Sequence, residues 1–287
     1  NALLTQAILG VIPGIFARPL MHPRRFAQSS ARAALAGYVV VIMLYLWGAI
    51  VMRADERTSG PTIEAAVVQA ALGDSEGATR GDADQALETY LALSETIPEA
   101  VDLIVWPEVA VPDSLNQRPD MLARLGEHAH RQSAWLIVGG FEFAEGRVFN
   151  SLYVFSPDGV HTETYRKVIL VPFGEYVPMR HRFPWLARFA LRSVDFSPGP
   201  EHRLLRLGDW RGGPLICFEG LFPKAVRANV RLGAEFIVIG TSDAWAAGTA
   251  EIEQHSFTAP LRAVESRRWL VRAGTWGISQ IVSPYGR

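Results

Sequence analysis

Three side chains in this sequence are of the types that thiol chemistry needs, and each closes an apolar run. Cys217, the single cysteine among 287 residues, ends GPLIC and precedes Phe218-Glu219-Gly220. Glu108 follows IVWP, where Pro107 stops the run and leaves a carboxylate at its mouth. Lys167 closes TYRK just before VIL. Singly, each has a plainer reading. A lone cysteine is most often a small buried hydrophobe, a loop glutamate is ordinarily solvated, and a strand-end lysine ordinarily snorkels to water. Together, each at a strand end of one α/β domain, they form the set that acyl transfer through sulfur requires. The cysteine attacks a carbonyl and forms a thioester. A carboxylate beside apolar walls takes the thiol proton and returns it to the leaving group. An ammonium and a nearby backbone N–H stabilise the tetrahedral oxyanion.

The elements that must bring these groups together are legible as alternating strands and helices. Continuous apolar runs predict buried strands at 101–106, 134–143, 213–218, 234–240, 268–274 and 278–284, with a β-like run at 62–72. Residues 147–167 read as a hairpin turning at Asp158-Gly159. Helical periodicity covers 82–97, capped by Asp82 or Asp84, then 118–132, a stretch near 222–232, and 252–266 with a kink at Pro260. Alternation of this kind predicts an α/β fold, whose sites lie where strand ends meet loops. Residues 168–200 fit nothing regular. That length of loop within a compact domain is usually functional, and this one carries Phe173, Tyr176, Phe183, Trp185, Leu186, Phe189 and Leu191. It also carries Arg180, His181, Arg182, Arg188 and Arg192, with no acid between Glu175 and Asp195. The mixture suits an anionic lipid interface, or a lid folded over the domain's own core; the two are compatible.

The N-terminal part reads differently. Residues 34–52 carry no charge over nearly the ~20 residues that span a bilayer, and 2–16 resemble the tail of an earlier span. Between them lie Arg18, His22, Arg24, Arg25 and Arg32 without an acid. Basic short loops stay cytoplasmic, so 17–33 is expected inside and everything from about residue 53 on the far side, the periplasm of a Gram-negative bacterium. Residues 53–61 look like a linker, dividing a membrane segment (1–60) from a catalytic domain (61–287). A chain that opens on Asn1 inside an apolar run reads as part of a longer protein. The net charge of -1 offers no basic field for nucleic acid, and one cysteine makes no internal disulfide. His128 and His130 fall on different faces of a helix and no glycine-rich phosphate loop is present, so neither a metal nor another cofactor is expected.

The order Glu108, Lys167, Cys217 resembles the nitrilase (carbon–nitrogen hydrolase) superfamily, which implies an α-β-β-α sandwich over about 62–287. VPFGEYVP (171–178) and CFEGLFP (217–223) more narrowly resemble the apolipoprotein N-acyltransferase branch. That resemblance implies a membrane-anchored enzyme of the bacterial inner membrane. It would move an acyl chain from a phospholipid to its cysteine and on to an amine, such as a lipoprotein N-terminus. Glu175 would match the branch's lid glutamate, and Glu219 and Phe218 the acid and aromatic after the cysteine. Glu219 would then orient Lys167 or the backbone at the oxyanion site, and Phe173, Tyr176 and Trp245 would support or line the pocket. The chain also departs from the pattern. No Trp lies between Trp47 and Trp106, and Thr241-Ser242-Asp243-Ala244-Trp245-Ala246-Ala247 and Ala273-Gly274-Thr275-Trp276-Gly277 differ from the branch's motifs. This altered style is similar to relatives encoded with conjugal-transfer genes. Two alternatives stand beside the acyltransferase: an amidase acting on a small amide, and a non-catalytic assembly protein of the same fold.

Overall fold

The computed structural model describes residues 23–54, 61–72, 79–98, 100–190 and 195–287. The chain divides into two compact units, Asn1–Pro61 and Thr62–Arg287.

In the first unit, α1 (Pro23–Ala54) is a single helix. Its segment Arg32–Val51 is long and apolar enough to cross a membrane by length and composition. Leu35, Val41, Leu44 and Trp47 along it are exposed. The helix reaches back beyond the expected span of 34–52 into the basic stretch 17–33. No proline or glycine stands between Pro23 and Gly37 to end the periodicity. The expected earlier span at 2–16 and most of the expected linker lie outside the described residues.

The second unit is a sandwich of two sheets. The first contains β1 (Ala65–Val67), β2 (Leu103–Val105), β3 (Val111–Ser114), β4 (Trp135–Ala144), β5 (Arg147–Phe155) and β6 (His161–Arg166), in the order β1-β2-β4-β5-β6, with β3 also pairing β4. The second contains β7 (Leu205–Leu207), β8 (Trp210–Ile216), β9 (Phe236–Thr241), β10 (Trp269–Gly274) and β11 (Gln280–Val282), in the order β11-β10-β9-β8-β7. Strand alternation sends successive side chains to opposite faces, and three cores result. Leu103, Val105, Ile137, Leu152 and Val154 meet Ile216, Phe236, Val238 and Val271 between the sheets. Ile104, Leu136 and Val138 face the other way and pack with Leu87 of α2 (Arg80–Ser94) and Leu125 of α3 (Pro119–Gln132). Leu215, Ile237, Ile239 and Leu270 pack with Val226 of α4 (Pro223–Leu232) and Ala263 of α6 (Thr258–Ser266). The layering is α-β-β-α.

Several local expectations are refined. The run 62–72 pairs only at Ala65–Val67, because its parallel partner β2 stops before Pro107. The cap of α2 is Thr79, whose hydroxyl accepts from Asp82 N while Asp82 accepts from Thr79 N, a capping box. Asp84, the other expected cap, instead pairs with Arg118 at 2.6 Å. The helical stretch 252–266 breaks after Ser256 into α5 (Glu251–Ser256) and α6. Pro260 has no N–H to give the Ser256 carbonyl, which accepts from Gln280 Nε2 at 2.9 Å instead.

Two glycines let the chain carry Glu108 between the sheets. A Cβ on Gly139 would stand 2.2 Å from the Pro107 carbonyl oxygen and 2.8 Å from Glu108 Cα. One on Gly240, from the opposite sheet, would stand 3.2 Å from Glu108 N. Gly139→Ala should therefore lower the melting temperature by the equivalent of about 1–3 kcal/mol, the usual cost of overpacking. Gly81→Ala, which meets only the Thr79 hydroxyl at 3.6 Å, should not. Equal melting of the two variants would refute this account.

Candidate active site

The site is assembled from the ends of four strands. β5 and β6 are antiparallel, and the Lys167 amide donates to the Asn150 carbonyl at 2.9 Å, which sets Lys167 directly across from Asn150. Glu108 follows β2, its carbonyl accepting from the Thr275 hydroxyl at 3.1 Å. Glu175 comes from the loop after β6, where a tight turn runs from Val171 to Tyr176. Its Phe173 amide donates to the Tyr176 carbonyl at 2.7 Å, and its Glu175 amide to the Val171 carbonyl at 2.8 Å.

These elements bury a cation between two carboxylates. Lys167, 1% exposed, places Nζ 2.9 Å from Glu175 Oε1 and 3.3 Å from Glu108 Oε1. Asn150 Nδ2 bridges the same two oxygens at 2.7 Å to Glu108 and 3.1 Å to Glu175. The remaining oxygens accept from the backbone: Glu108 Oε2 from Ser242 N at 2.8 Å and Glu175 Oε2 from Val171 N at 2.9 Å. Each carboxylate thus has three donors, the saturation that buried charge requires. Burial works against the Lys167 ammonium, but Glu108 and Glu175 outweigh it and hold it above its ordinary range. The lysine is charged at every physiological pH.

Cys217 stands at the turn that ends β8 and opens a 3₁₀ turn, Cys217–Leu221. Its φ is +48°, in the left-handed region that non-glycine residues avoid. Glu219 holds this elbow. Fully buried, its carboxylate accepts from Ile216 N at 2.8 Å, Val168 N at 2.8 Å, Ile169 N at 3.0 Å and the Tyr165 hydroxyl at 3.0 Å. It grips the backbone on the near side of Cys217 and the far side of Lys167. Of the two partners expected for Glu219, its hydrogen bonds go to backbone amides and none goes to the Lys167 ammonium. Burial pushes Glu219 up, to about 7, against the pull of these three backbone donors. Burial likewise pushes the thiol of Cys217 up, to about 12, with the Glu108 charge adding to the rise. Lys167 and the Thr241 hydroxyl pull the other way. At rest the sulfur is a neutral thiol.

The structure therefore brings Glu108, Lys167, Glu175, Cys217 and Glu219 into one buried site. Phe173 and Tyr176 shape the turn that carries Glu175, and both are half-buried. Phe218 packs edge-on against Phe222, with centroids 4.9 Å apart. Trp245 stays outside the cluster, 57% exposed. It sits on a short turn, Ala244–Ala246, whose buried member is Ala246. Sequence reasoning missed Asn150. Its signal was a polar residue within the apolar hairpin strand, at a position whose neighbours Phe149 and Leu152 are buried. It also missed that the altered motifs still serve the site. Ser242 and Thr275 contact Glu108, and Trp276 Nε1 donates to the Leu72 carbonyl, tying the loops after β10 and β1 together. Among the described residues no cluster fit for a metal ion occurs.

Known proteins place this geometry. The carbon–nitrogen hydrolase family profile matches residues 64–287. Proteins named apolipoprotein N-acyltransferase are similar in sequence. That of Geobacter metallireducens is 38% identical over 64% of this chain and 36% of its own length. Those of Azotobacter vinelandii (30% identical, 99% of this chain, 54% of the relative) and Bdellovibrio bacteriovorus (32%, 90%, 52%) match over nearly the whole chain. The chain thus spans about half the length of these relatives, or less. In fold it resembles XC1258, a CN-hydrolase superfamily protein of Xanthomonas campestris (TM-score 0.61, 18% identity, 79% of this chain, 85% of that one). It also resembles Nit3 of Saccharomyces cerevisiae, of the nitrilase superfamily (TM-score 0.60, 19% identity, 79% and 86%).

Two outcomes follow from the site's electrostatics. Lys167→Met leaves two carboxylates buried without their cation and should cost about 3–5 kcal/mol in denaturant unfolding; a loss below 1 kcal/mol would contradict the pairing. Because the thiol is held high, Cys217 alkylation by iodoacetamide should climb steadily between about pH 7 and pH 10, as only the thiolate reacts. Levelling by about pH 10, where an ordinary thiol of pKa about 8.5 is already ionised, would show the thiol to be unperturbed.

Proposed function

The chain belongs to the carbon–nitrogen hydrolase superfamily, and on that premise we propose that it is a membrane-anchored acyltransferase. It moves a fatty acyl chain from a phospholipid through a thioester on Cys217 to an amine acceptor such as a lipoprotein N-terminus. The observation that carries this reading is a buried thiol at a turn of positive φ, in one site with a buried lysine paired to two carboxylates. As the sulfur attacks the ester carbonyl, its proton passes to Glu108. Negative charge on the carbonyl oxygen is met by the Lys167 ammonium. Collapse breaks the ester C–O bond, and Glu108 returns the proton to the lysophospholipid leaving group. In the second half the acceptor amine attacks the thioester, Glu108 takes its proton, and the sulfur leaves to recover that proton. Glu175 shares Lys167 with Glu108 and keeps the ammonium aimed.

The choice of a transferase over a hydrolase is supported by the relatives' names and by the loop 168–200. Its first part packs inward through Leu170 and Val177. Its second part stands out: Trp185 and Phe189 on the 3₁₀ turn Pro184–Phe189 are both 54% exposed, with the Arg188 guanidinium 5.0 Å above the Trp185 ring. Exposed aromatics under a cation suit a lipid headgroup boundary, and water must be kept from a thioester that is to be aminolysed. Helix α1 supplies the anchor, with the basic stretch 17–33 on the cytoplasmic side and the sandwich on the periplasmic side.

The test is intact-mass analysis of the full chain after incubation with phosphatidylethanolamine vesicles. The wild type should gain a hydroxylamine-labile fatty acyl mass, and Cys217→Ala should gain none. Glu108→Gln should load about 10²–10⁴-fold more slowly. Trp185→Ser or Phe189→Ser should reduce loading with an unchanged circular dichroism spectrum. Ammonia release from a small amide without any lipid adduct would replace this reading with an amidase.

A further inference from the structure

The end of β9 carries a buried polar group that the mechanism above does not use. β8 and β9 are parallel, with Ile216 paired to Gly240. One step further along both strands sets Thr241 beside Cys217. Thr241 is fully buried. Its methyl Cγ2 faces β10, where it would lie 3.7 Å from a Cβ on Gly274, so the hydroxyl is turned away from that strand. The hydroxyl donates to Asp243 Oδ1, but at 3.3 Å it is the weakest of the donors there. His255 Nδ1 lies 2.7 Å from the same oxygen and Arg272 Nη2 lies 2.8 Å from Oδ2. Asp243 and Arg272 are each 1% exposed. Burial works against the Asp243 charge, but His255 and Arg272 outweigh it and hold the carboxyl below its ordinary range; ionised, it only accepts, so the Nδ1–H tautomer of His255 is the one that pairs with it. Asp243 therefore stays satisfied if the threonine lets go.

We propose that the Thr241 hydroxyl swings from Asp243 to the Cys217 sulfur and donates a hydrogen bond to it as negative charge develops there, while Arg272 and His255 hold Asp243 in place. No proton changes owner in this step. The sulfur's own proton goes to Glu108, and Thr241 only redirects the hydrogen it already carries. The same swing recurs when the sulfur leaves the thioester. Thr241 thereby joins Glu108, Lys167 and Glu175 among the groups that act on the sulfur. Asp243, His255 and Arg272 are positioning residues that act through it.

The inference rests on Cys217 being the nucleophile, and its test needs no lipid. The rate of Cys217 alkylation by iodoacetamide is followed across pH in the full chain. Thr241→Val removes the hydroxyl at nearly constant volume. It should slow alkylation about tenfold or more, the value of a hydrogen bond to a charged group, and displace the pH profile upward. Thr241→Ser should keep the wild-type rate and profile, and the displaced profile of the hydroxyl-free variant is what a merely structural role would not predict. Should Thr241→Val melt early, the smaller Thr241→Ala carries the same expectation. Wild-type rate and profile in a folded hydroxyl-free variant would overturn the inference. Acyl loading of the wild type by intact mass judges the acyltransferase reading separately, so the two can fail independently.

Discussion

The structure turns on a buried ammonium shared by two carboxylates. Taking three ionised groups out of water costs several kcal/mol for each, and the cost is met here by saturation rather than by charge balance alone. Lys167 and Asn150 each bridge Glu108 and Glu175, and backbone amides of Ser242 and Val171 fill the remaining acceptor positions. These donors come from both sheets and from the loop 168–200. The cluster therefore cannot form unless the sandwich has closed, and the closed sandwich cannot lose one member without stranding the others. Preorganised charge of this kind needs no reorganisation when a transition state develops oxyanion character beside it.

The same region stores backbone strain. Val109, Phe173 and Cys217 all have φ between +48° and +63°. Each belongs to a segment that delivers a functional group: Glu108, the Glu175 turn and the thiol itself. A left-handed conformation costs roughly 1–2 kcal/mol for an ordinary residue, more for a β-branched one such as Val109. It persists only where surroundings over-determine it. Around Cys217 that role falls to Glu219, which holds the amides of Ile216, Val168 and Ile169 at once. The elbow and the lysine strand are thus fixed by one carboxylate that need not touch substrate.

The loop after the lysine joins this rigid centre to a more exposed surface. Phe196 ties its far end down, donating its amide to the Glu175 carbonyl and packing 5.5 Å from Phe141. Between these anchors the Pro184–Phe189 turn exposes Trp185 and Phe189, with the Arg188 guanidinium over both rings. The segment is thus fixed to the site at its ends while Trp185 and Phe189 in its middle stay exposed.

The sequence by itself determined the alternation of strands and helices and which polar groups stand at strand ends. Apolar runs bounded by Pro107, Lys167 and Cys217 place three functional groups at strand ends, because a buried strand must stop before a charged group can be solvated or paired. The order of those groups resembles the nitrilase superfamily, and that resemblance implied the α-β-β-α layering found here. The tertiary structure alone decided which polar groups meet. Asn150 becomes a bridge only through the β5–β6 register, and Thr241 comes beside the thiol only through the β8–β9 register. The Thr79 capping box lies within one local Thr-x-x-Asp window, whereas the Ser256 carbonyl at the helix break finds its donor in the distant Gln280. Pairing across sheets is set by twist, register and close approach at Gly139 and Gly240. Those are properties of the packed chain, and residues distant along it acquire a common function only once it has packed.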